Sequence, residues 1–265
     1  MDMNQERIKE LVRERYGARA QRVIDSAERS GCCGCGPSVS ACCGPDEMEN
    51  TMRLYSEDQL SGLPAGSVAA SAGCGNPTAL VGLQPGERVL DLGSGGGIDC
   101  FLAAQQVGDT GHVTGLDMTP SMLELARKNQ AALGLNNVEF VQGEIEAMPL
   151  PSGSFDVIIS NCVVCLSPDK DAVFDESFRV LVPGGRIHLS DVLALTPAGP
   201  GATDAESWVA CAAGAEHHQT YVDRLRRAGF EEIEINREGV EFLEETDTAT
   251  YTNTAGFRIT AQKPA

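Results

Sequence analysis

From residue 85 onward the chain alternates short apolar runs with helical segments, and the first run, Arg88–Leu92, passes directly into Gly93-Ser94-Gly95-Gly96-Gly97. A strand that ends in such a turn and is followed by a helix constrains the fold strongly. Glycine permits a sharp turn and a close backbone approach to a ligand, and the helix that follows aims its N-terminus at the same place. The next apolar runs are His112–Asp117, Val138–Gln142, Phe155–Ser160 and Arg186–Leu189, with helical stretches at Ile98–Val107, Pro120–Leu133 and Lys170–Leu181 between them. A further helix is expected over 204–228, and strands over Glu232–Ile235 and Phe257–Gln262. Strands alternating with helices at this spacing predict an α/β fold whose mostly parallel sheet is covered on both faces.

Ahead of this region, residues 5–29 carry Ile8, Leu11, Val12, Tyr16, Ala20, Val23, Ile24 and Ala27 at a period near 3.6, the pattern of an amphipathic helix. A Gly-, Pro-, Ser- and Cys-rich stretch follows, which has loop composition. Three regions are expected: 1–52, the N-terminal helix and Cys-rich loop; 53–230, the catalytic domain; and 231–265, acidic strands that complete or append the sheet. The net charge of −18 argues against nucleic acid as a partner, because phosphate binding needs a basic surface. It argues equally against residence on anionic lipid. No apolar run reaches the roughly 18 residues needed to span a bilayer, and the first ten residues lack a signal-peptide core. The expected compartment is the cytoplasm, where thiols stay reduced. The ten cysteines therefore need a reason other than a disulfide framework.

The glycine loop discriminates between ligands. A dinucleotide fingerprint would place its third glycine at position 98, which is Ile98; here it falls at Gly97, giving G-x-G-x-G. Asp91 precedes the loop by two residues, Asp117 ends the second strand, and Glu144 follows the third. This set resembles the class I S-adenosylmethionine-dependent methyltransferases, which implies a Rossmann-like seven-stranded sheet, here carrying an extra N-terminal helix and Cys-rich loop. The cofactor has no phosphate but has an ammonium, a sulfonium and a ribose diol, so carboxylates are useful around it. By this resemblance Gly93, Ser94, Gly95 and Gly97 form the cradle. Asp91 lies by the methionine end, Asp117 takes the ribose hydroxyls beside Met118, Glu144 or Ile145 borders the adenine, and Asn161 flanks the site.

The substrate question rests on thiols. Cys162 ends the fourth strand on the cofactor edge. Cys74 lies in Gly73-Cys74-Gly75-Asn76-Pro77, and Cys211 in Trp208-Val209-Ala210-Cys211-Ala212. They are too far apart in sequence to make a local zinc motif. The segments VLDLGSGGGIDCF, HVTGLDMT, SNCVVCLSPDK, WVACAAGA and GCGNP resemble the arsenite methyltransferases over nearly all of 53–225. That resemblance implies that Cys74, Cys162 and Cys211 hold trivalent arsenic above the cofactor methyl. Soft thiolates suit a soft metalloid.

Cys165 departs from the family pattern. It is a fourth ligand, a disulfide partner or a buried thiol, the last being favoured. Cys100 reads as a small buried hydrophobe. Cys32, Cys33, Cys35, Cys42 and Cys43 read as auxiliary thiols, a metalloid-capture or relay loop, or a weakly used segment.

The expected activity is methyl transfer from S-adenosylmethionine to arsenite or its thiol conjugate, with a glutathione- or thioredoxin-type reductant in a cytoplasmic monomer. Two alternatives stay open. One is a C- or O-methyltransferase of a small metabolite, which would have no use for the three thiols. The other is a thiol-rich metalloid-binding protein without turnover.

Overall fold

A computed structural model describes residues 3–30, 54–71, 82–196, 208, 214–242 and 254–265. The 32–43 cysteine loop, Cys74 and Cys211 lie outside the described residues. The elements are α1 (Met3–Ser30), α2 (Glu57–Leu60), α3 (Ala65–Ala70), β1 (Arg88–Leu92), α4 (Ile98–Val107), β2 (His112–Asp117), α5 (Pro120–Leu133), β3 (Val138–Gln142), β4 (Phe155–Asn161), α6 (Lys170–Val180), β5 (Leu181–Ala194), α7 (His218–Ala228), β6 (Glu231–Phe242) and β7 (Thr254–Gln262).

The seven strands form one sheet in the order β3-β2-β1-β4-β5-β7-β6. The first five pair in parallel, and β7 pairs antiparallel with both β5 and β6. Along β1 the side chains alternate between two cores. Leu90 and Leu92 join Ile158, Leu181, Ile187 and Tyr221 on one face. Val89 joins Phe101, Val113, Val157 and Ile159 on the other. This double burial makes the runs continuously apolar, and each buried aliphatic side chain stabilises the fold by about 1.5–3 kcal/mol.

The chain steps outward from β1 through β2 to β3, then returns to the other side of β1 with β4. At this reversal the connections after β1 and β4 leave in opposite directions, and a crevice opens at the carboxyl ends of the two strands.

α1 lies across that crevice. Ala20, Val23 and Ile24 pack on Ala69, Ala70, Met122 and Leu125. Ile8 and Val12 pack on Cys162, Leu166 and Val192. The apolar stripe of the sequence is thus the face by which α1 covers the strand ends.

Two expected boundaries change. β5 runs on to Ala194 because β7 pairs with it continuously from Arg186–Gln262 to Ala194–Thr254, and it begins at Leu181, which pairs with Phe155 of β4. Within the stretch 204–228 expected to be one helix, Trp208 and His218–Ala228 are helical, and 214–217 between them are not. Just before His218, the Ala194 amide donates to Glu216 O at 2.9 Å, and Ala194 bridges His217. Residues 214–217 are thereby held against the end of β5 and cannot wind.

Candidate functional site

The glycine loop turns because it must. Gly93, Gly95 and Gly97 have φ of 68°, 50° and 91°, values that side-chain-bearing residues adopt only with strain. A Cβ on Gly93 would sit 2.4 Å from Val163 Cγ2, so the β1 and β4 loops touch through a missing side chain. At Gly95 a Cβ would find its nearest neighbour 4.0 Å away, so this residue leaves open room above the loop. All three line one cavity, together with Ser94, Asp99, Asp117, Met118, Ile145, Asn161 and Cys162.

Asp117 ends β2 with both oxygens engaged by backbone. Gly95 N donates to Oδ2 at 2.9 Å and Thr119 N to Oδ1 at 2.8 Å. Burial raises its pKa and these two amides oppose the rise. The carboxylate therefore fixes the loop and still faces the cavity. Ser94 Oγ is buried in the cavity wall with no hydrogen-bond partner among the described residues. A buried hydroxyl of this kind lacks a partner that a ligand can supply.

Asp91 and Asp99 divide roles that one residue was expected to carry. Asp91 accepts the Cys100 thiol at 3.2 Å beneath the loop and is not among the residues lining the cavity. Burial first, and then the charge of Asp99, push it well above the ordinary carboxylate range. Asp99, in the first turn of α4, does line the cavity. The Tyr55 hydroxyl donates to it at 3.0 Å, and Asn161 Nδ2 reaches Tyr55 Oη at 2.9 Å and Asp99 Oδ2 at 3.3 Å. Burial lifts Asp99 to about 6, against the pull of the Tyr55 and Asn161 hydrogen bonds.

Ile145 lines the cavity, whereas Glu144 is turned to α1. Lys9 Nζ lies 2.7 Å from Glu144 and 3.5 Å from Glu146, and Arg13 also pairs with Glu144. Burial alone would raise the Glu144 pKa, but the Lys9 hydrogen bond and the charges of Lys9 and Arg13 hold it low. Lys9, Val12 and Tyr16 of α1 reach the cavity wall themselves.

Cys162 follows β4 in the left-handed region, at φ 60°. Its amide donates to Ser190 O at 2.7 Å, which holds the strained backbone. It is 5% exposed and lines the cavity. Cys165 is 1% exposed, as the favoured reading of a buried thiol expects. It is not alone there: the ligand atoms of Cys162, Cys165 and Asp191 lie within 4.8 Å of one another.

The chain flanking the two thiols outside the described residues comes to the same cleft. Ser71, three residues before Cys74, lines the cavity. Trp208 Nε1 donates to Leu166 O at 3.1 Å, and Gly214 abuts the Cys165 carbonyl. The two residues stand three positions on either side of Cys211.

Sequence reasoning missed Asp99, Tyr55, Asp191 and the α1 residues Lys9 and Tyr16. For Asp99 the signal was present, an acid in the first turn of the helix that follows the glycine loop. For the others a long tertiary reach left none.

The methyltransferase domain family matches residues 83–245. An arsenite methyltransferase of Halobacterium salinarum is 44% identical over 255 residues, covering 93% of this chain and 63% of that protein. An arsenite methyltransferase of Aquipseudomonas alcaligenes is 40% identical over 202 residues, covering 72% of this chain and 56% of that protein. The chain thus spans about three fifths of the length of these relatives. The crystal structure of an arsenic(III) S-adenosylmethionine methyltransferase from Chlamydomonas reinhardtii superposes with a TM-score of 0.65 at 34% identity, over 81% of this chain and 73% of that one. With the sheet order, the glycine loop and the cavity at the strand ends, these likenesses leave one assignment: the chain belongs to the methyltransferase domain family and, within it, to the arsenite methyltransferases.

Proposed function

We propose that the chain transfers methyl groups from S-adenosylmethionine to trivalent arsenic held by the thiolates of Cys74, Cys162 and Cys211. The observation that carries this is the position of Cys162, whose backbone is strained and which lines the same cavity as the glycine loop. The anchors around the other two thiols support it. Ser71, three residues before Cys74 in sequence, lines the cavity, and Trp208 and Gly214, three residues either side of Cys211 in sequence, contact Leu166 and Cys165.

The residues present fit the cofactor. The unpartnered Ser94 hydroxyl and the open space above Gly95 admit it. Asp117 offers free lone pairs to a ribose diol, and Asp99 offers negative charge to an ammonium or sulfonium. When bound, the cofactor supplies an electrophilic methyl group.

The rest falls to this chain. Three sulfurs take the place of oxygen around arsenic and leave its lone pair aimed at the methyl. No general base is needed, because arsenic bound by three thiolates has no proton to lose. Catalysis is then positioning and exclusion of water, and α1, closed over the cleft, serves both. Methyl transfer makes arsenic formally pentavalent; two thiolates supply the two electrons that return it to the trivalent state and become a disulfide, which a thiol reductant of glutathione or thioredoxin type reduces between turnovers, and this suits a reducing compartment such as the cytoplasm. Among the described residues no helix is long and apolar enough to cross a membrane.

The test is incubation of the protein with S-adenosylmethionine, glutathione and arsenite, followed by product speciation. Methylated arsenicals in amounts exceeding the enzyme are expected, together with their loss in Cys162→Ser. Stoichiometric arsenite binding without product, or full activity in Cys162→Ser, overturns the proposal.

A further inference from the structure

We infer that Lys170 is a positioning residue: it clamps the Trp208 indole against the turn after Cys162, and so fixes the substrate side of the cleft without touching the cofactor side. Lys170 is the first residue of α6, yet it is only 7% exposed. Two costs attach to that place. A cation in the first turn of a helix opposes the helix dipole, and a buried ammonium gives up its water. Local rules are broken in this way where a side chain has a task beyond its own element.

The contacts of Lys170 identify the task. Nζ donates to Ser167 O at 2.9 Å and reaches Cys165 O at 3.4 Å. It also stands 5.1 Å from the centroid of the Trp208 ring, within cation–π range. The partners of this buried charge are therefore two carbonyls of one turn and an aromatic face brought from a remote part of the chain. Burial pushes its pKa below the ordinary lysine value, and Cys165, Asp191 and Glu216 oppose the fall.

Trp208 closes the clamp from its own side. Its Nε1 donates to Leu166 O at 3.1 Å, so the ring and the ammonium together engage the carbonyls of Cys165, Leu166 and Ser167. Gly214 leaves the room this needs. A Cβ there would stand 2.1 Å from Cys165 O and 2.9 Å from Trp208 Nε1.

The arrangement acts on one side of the cleft. The indole packs against the apolar cluster that contains Cys162, Leu166 and Val192 with Ile8 and Val12 of α1. Neither Lys170 nor Trp208 is among the residues that line the cavity with the glycine loop. Loosening the clamp should therefore disturb the arsenical and spare the cofactor. That kinetic consequence rests on the proposed function; the contact itself does not.

Trp208 is the only tryptophan of the chain, so its emission reports the clamp directly. Lys170→Met keeps the aliphatic stem and removes the charge and its donors. In this variant the acrylamide quenching constant of Trp208 should about double, because the ring loses its cation. With arsenite varied at saturating S-adenosylmethionine, its KM should rise about fivefold, while calorimetric S-adenosylmethionine affinity stays within about twofold. Lys170→Arg keeps the charge, the donors and the ability to stack on a ring, and should hold both values within about twofold of wild type. Unchanged quenching in folded Lys170→Met, a loss of cofactor affinity as large as the rise in arsenite KM, or a Lys170→Arg variant as impaired as Lys170→Met overturns the inference.

Should Lys170→Met fail to fold, Trp208→Phe opens the clamp from the other side, keeping a ring and removing the Nε1–H donor. The same split is expected, a raised arsenite KM with cofactor affinity unchanged; an unchanged arsenite KM overturns the inference. Quenching needs no turnover, so failure of the methylation assay and failure of the clamp are separate results.

Discussion

Lys9 Nζ in α1 lies 2.7 Å from Glu144, 135 residues further along the chain, and 3.5 Å from Glu146. Lys9 is 8% exposed and lines the cavity, so this contact fastens the N-terminal helix over the strand ends. Hydrogen bonds to charged, partly buried groups are worth about 1.5–3 kcal/mol. Lys9→Met keeps the aliphatic stem and removes the charge. It should lower unfolding stability in urea by about 1–3 kcal/mol and weaken S-adenosylmethionine binding several-fold by calorimetry. The wild-type affinity should fall with added salt more steeply than that of the variant. Equal affinity and equal salt slopes in the two proteins would show that α1 does not govern the cavity.

Asp99 makes cofactor binding depend on pH. Burial raises its carboxyl to about 6, above its unfolded value of about 3.9. It therefore gains negative charge in the folded protein as pH rises from about 5 to 7. A cationic ligand should bind more tightly over that window, whereas stability should move the other way. Between the two pKa values the folded state holds more protons than the unfolded one, so Asp99 makes stability decline as pH rises through that range. Asp99→Asn should flatten both profiles and weaken cofactor affinity about tenfold, the effect of roughly 1.4 kcal/mol. A wild-type affinity that is constant from pH 5 to 7.5 would remove Asp99 from the site.

These two residues also mark how far the sequence could be read. The strand–glycine loop–helix unit was legible because backbone sterics demand glycine at Gly93, Gly95 and Gly97. Asp117 was legible because its place is fixed by the end of β2. Glu144 was placed correctly after β3, but Lys9 and Arg13 engage it from a helix over 130 residues away. No local pattern encodes that contact. Asp91 and Asp99 bracket the loop, and only the alternation of β1 and the first turn of α4 decide which faces the cavity. The Cys162–Cys165 pairing was visible as a spacing, but its closeness to Asp191 depends on β5 lying beside β4.

Gly93 is held against Val163 more tightly than a side chain allows. A Cβ would stand 2.4 Å from Val163 Cγ2, and φ of 68° adds strain. Gly93→Ala should destabilise by about 2–4 kcal/mol, combining overpacking with a left-handed alanine. Val163→Ala alone should cost about 0.5–1.5 kcal/mol through lost packing. The double variant should be more stable than the sum of the two predicts by about 1 kcal/mol, because the clash is shared. Strict additivity in urea denaturation would mean that the two loops do not touch in solution.

Cys162 places reactivity and stability in opposition. Its φ of 60° costs a side-chain-bearing residue about 1–2 kcal/mol, and glycine would escape that cost. The buried thiol in turn contributes packing with Val12, Leu166 and Val192. Cys162→Gly should therefore leave unfolding stability within about 1 kcal/mol of wild type. Cys162→Ala, which keeps the strain and loses the sulfur, should be the less stable of the two. Both should lose arsenite methylation by more than a hundredfold while retaining S-adenosylmethionine affinity within about threefold, a loss of chemistry without loss of the cofactor site. The ranking of the two variants in urea tests the strain. If Cys162→Ala proves the more stable, the left-handed conformation is not costly here, and the thiol is held at the cavity wall by packing alone.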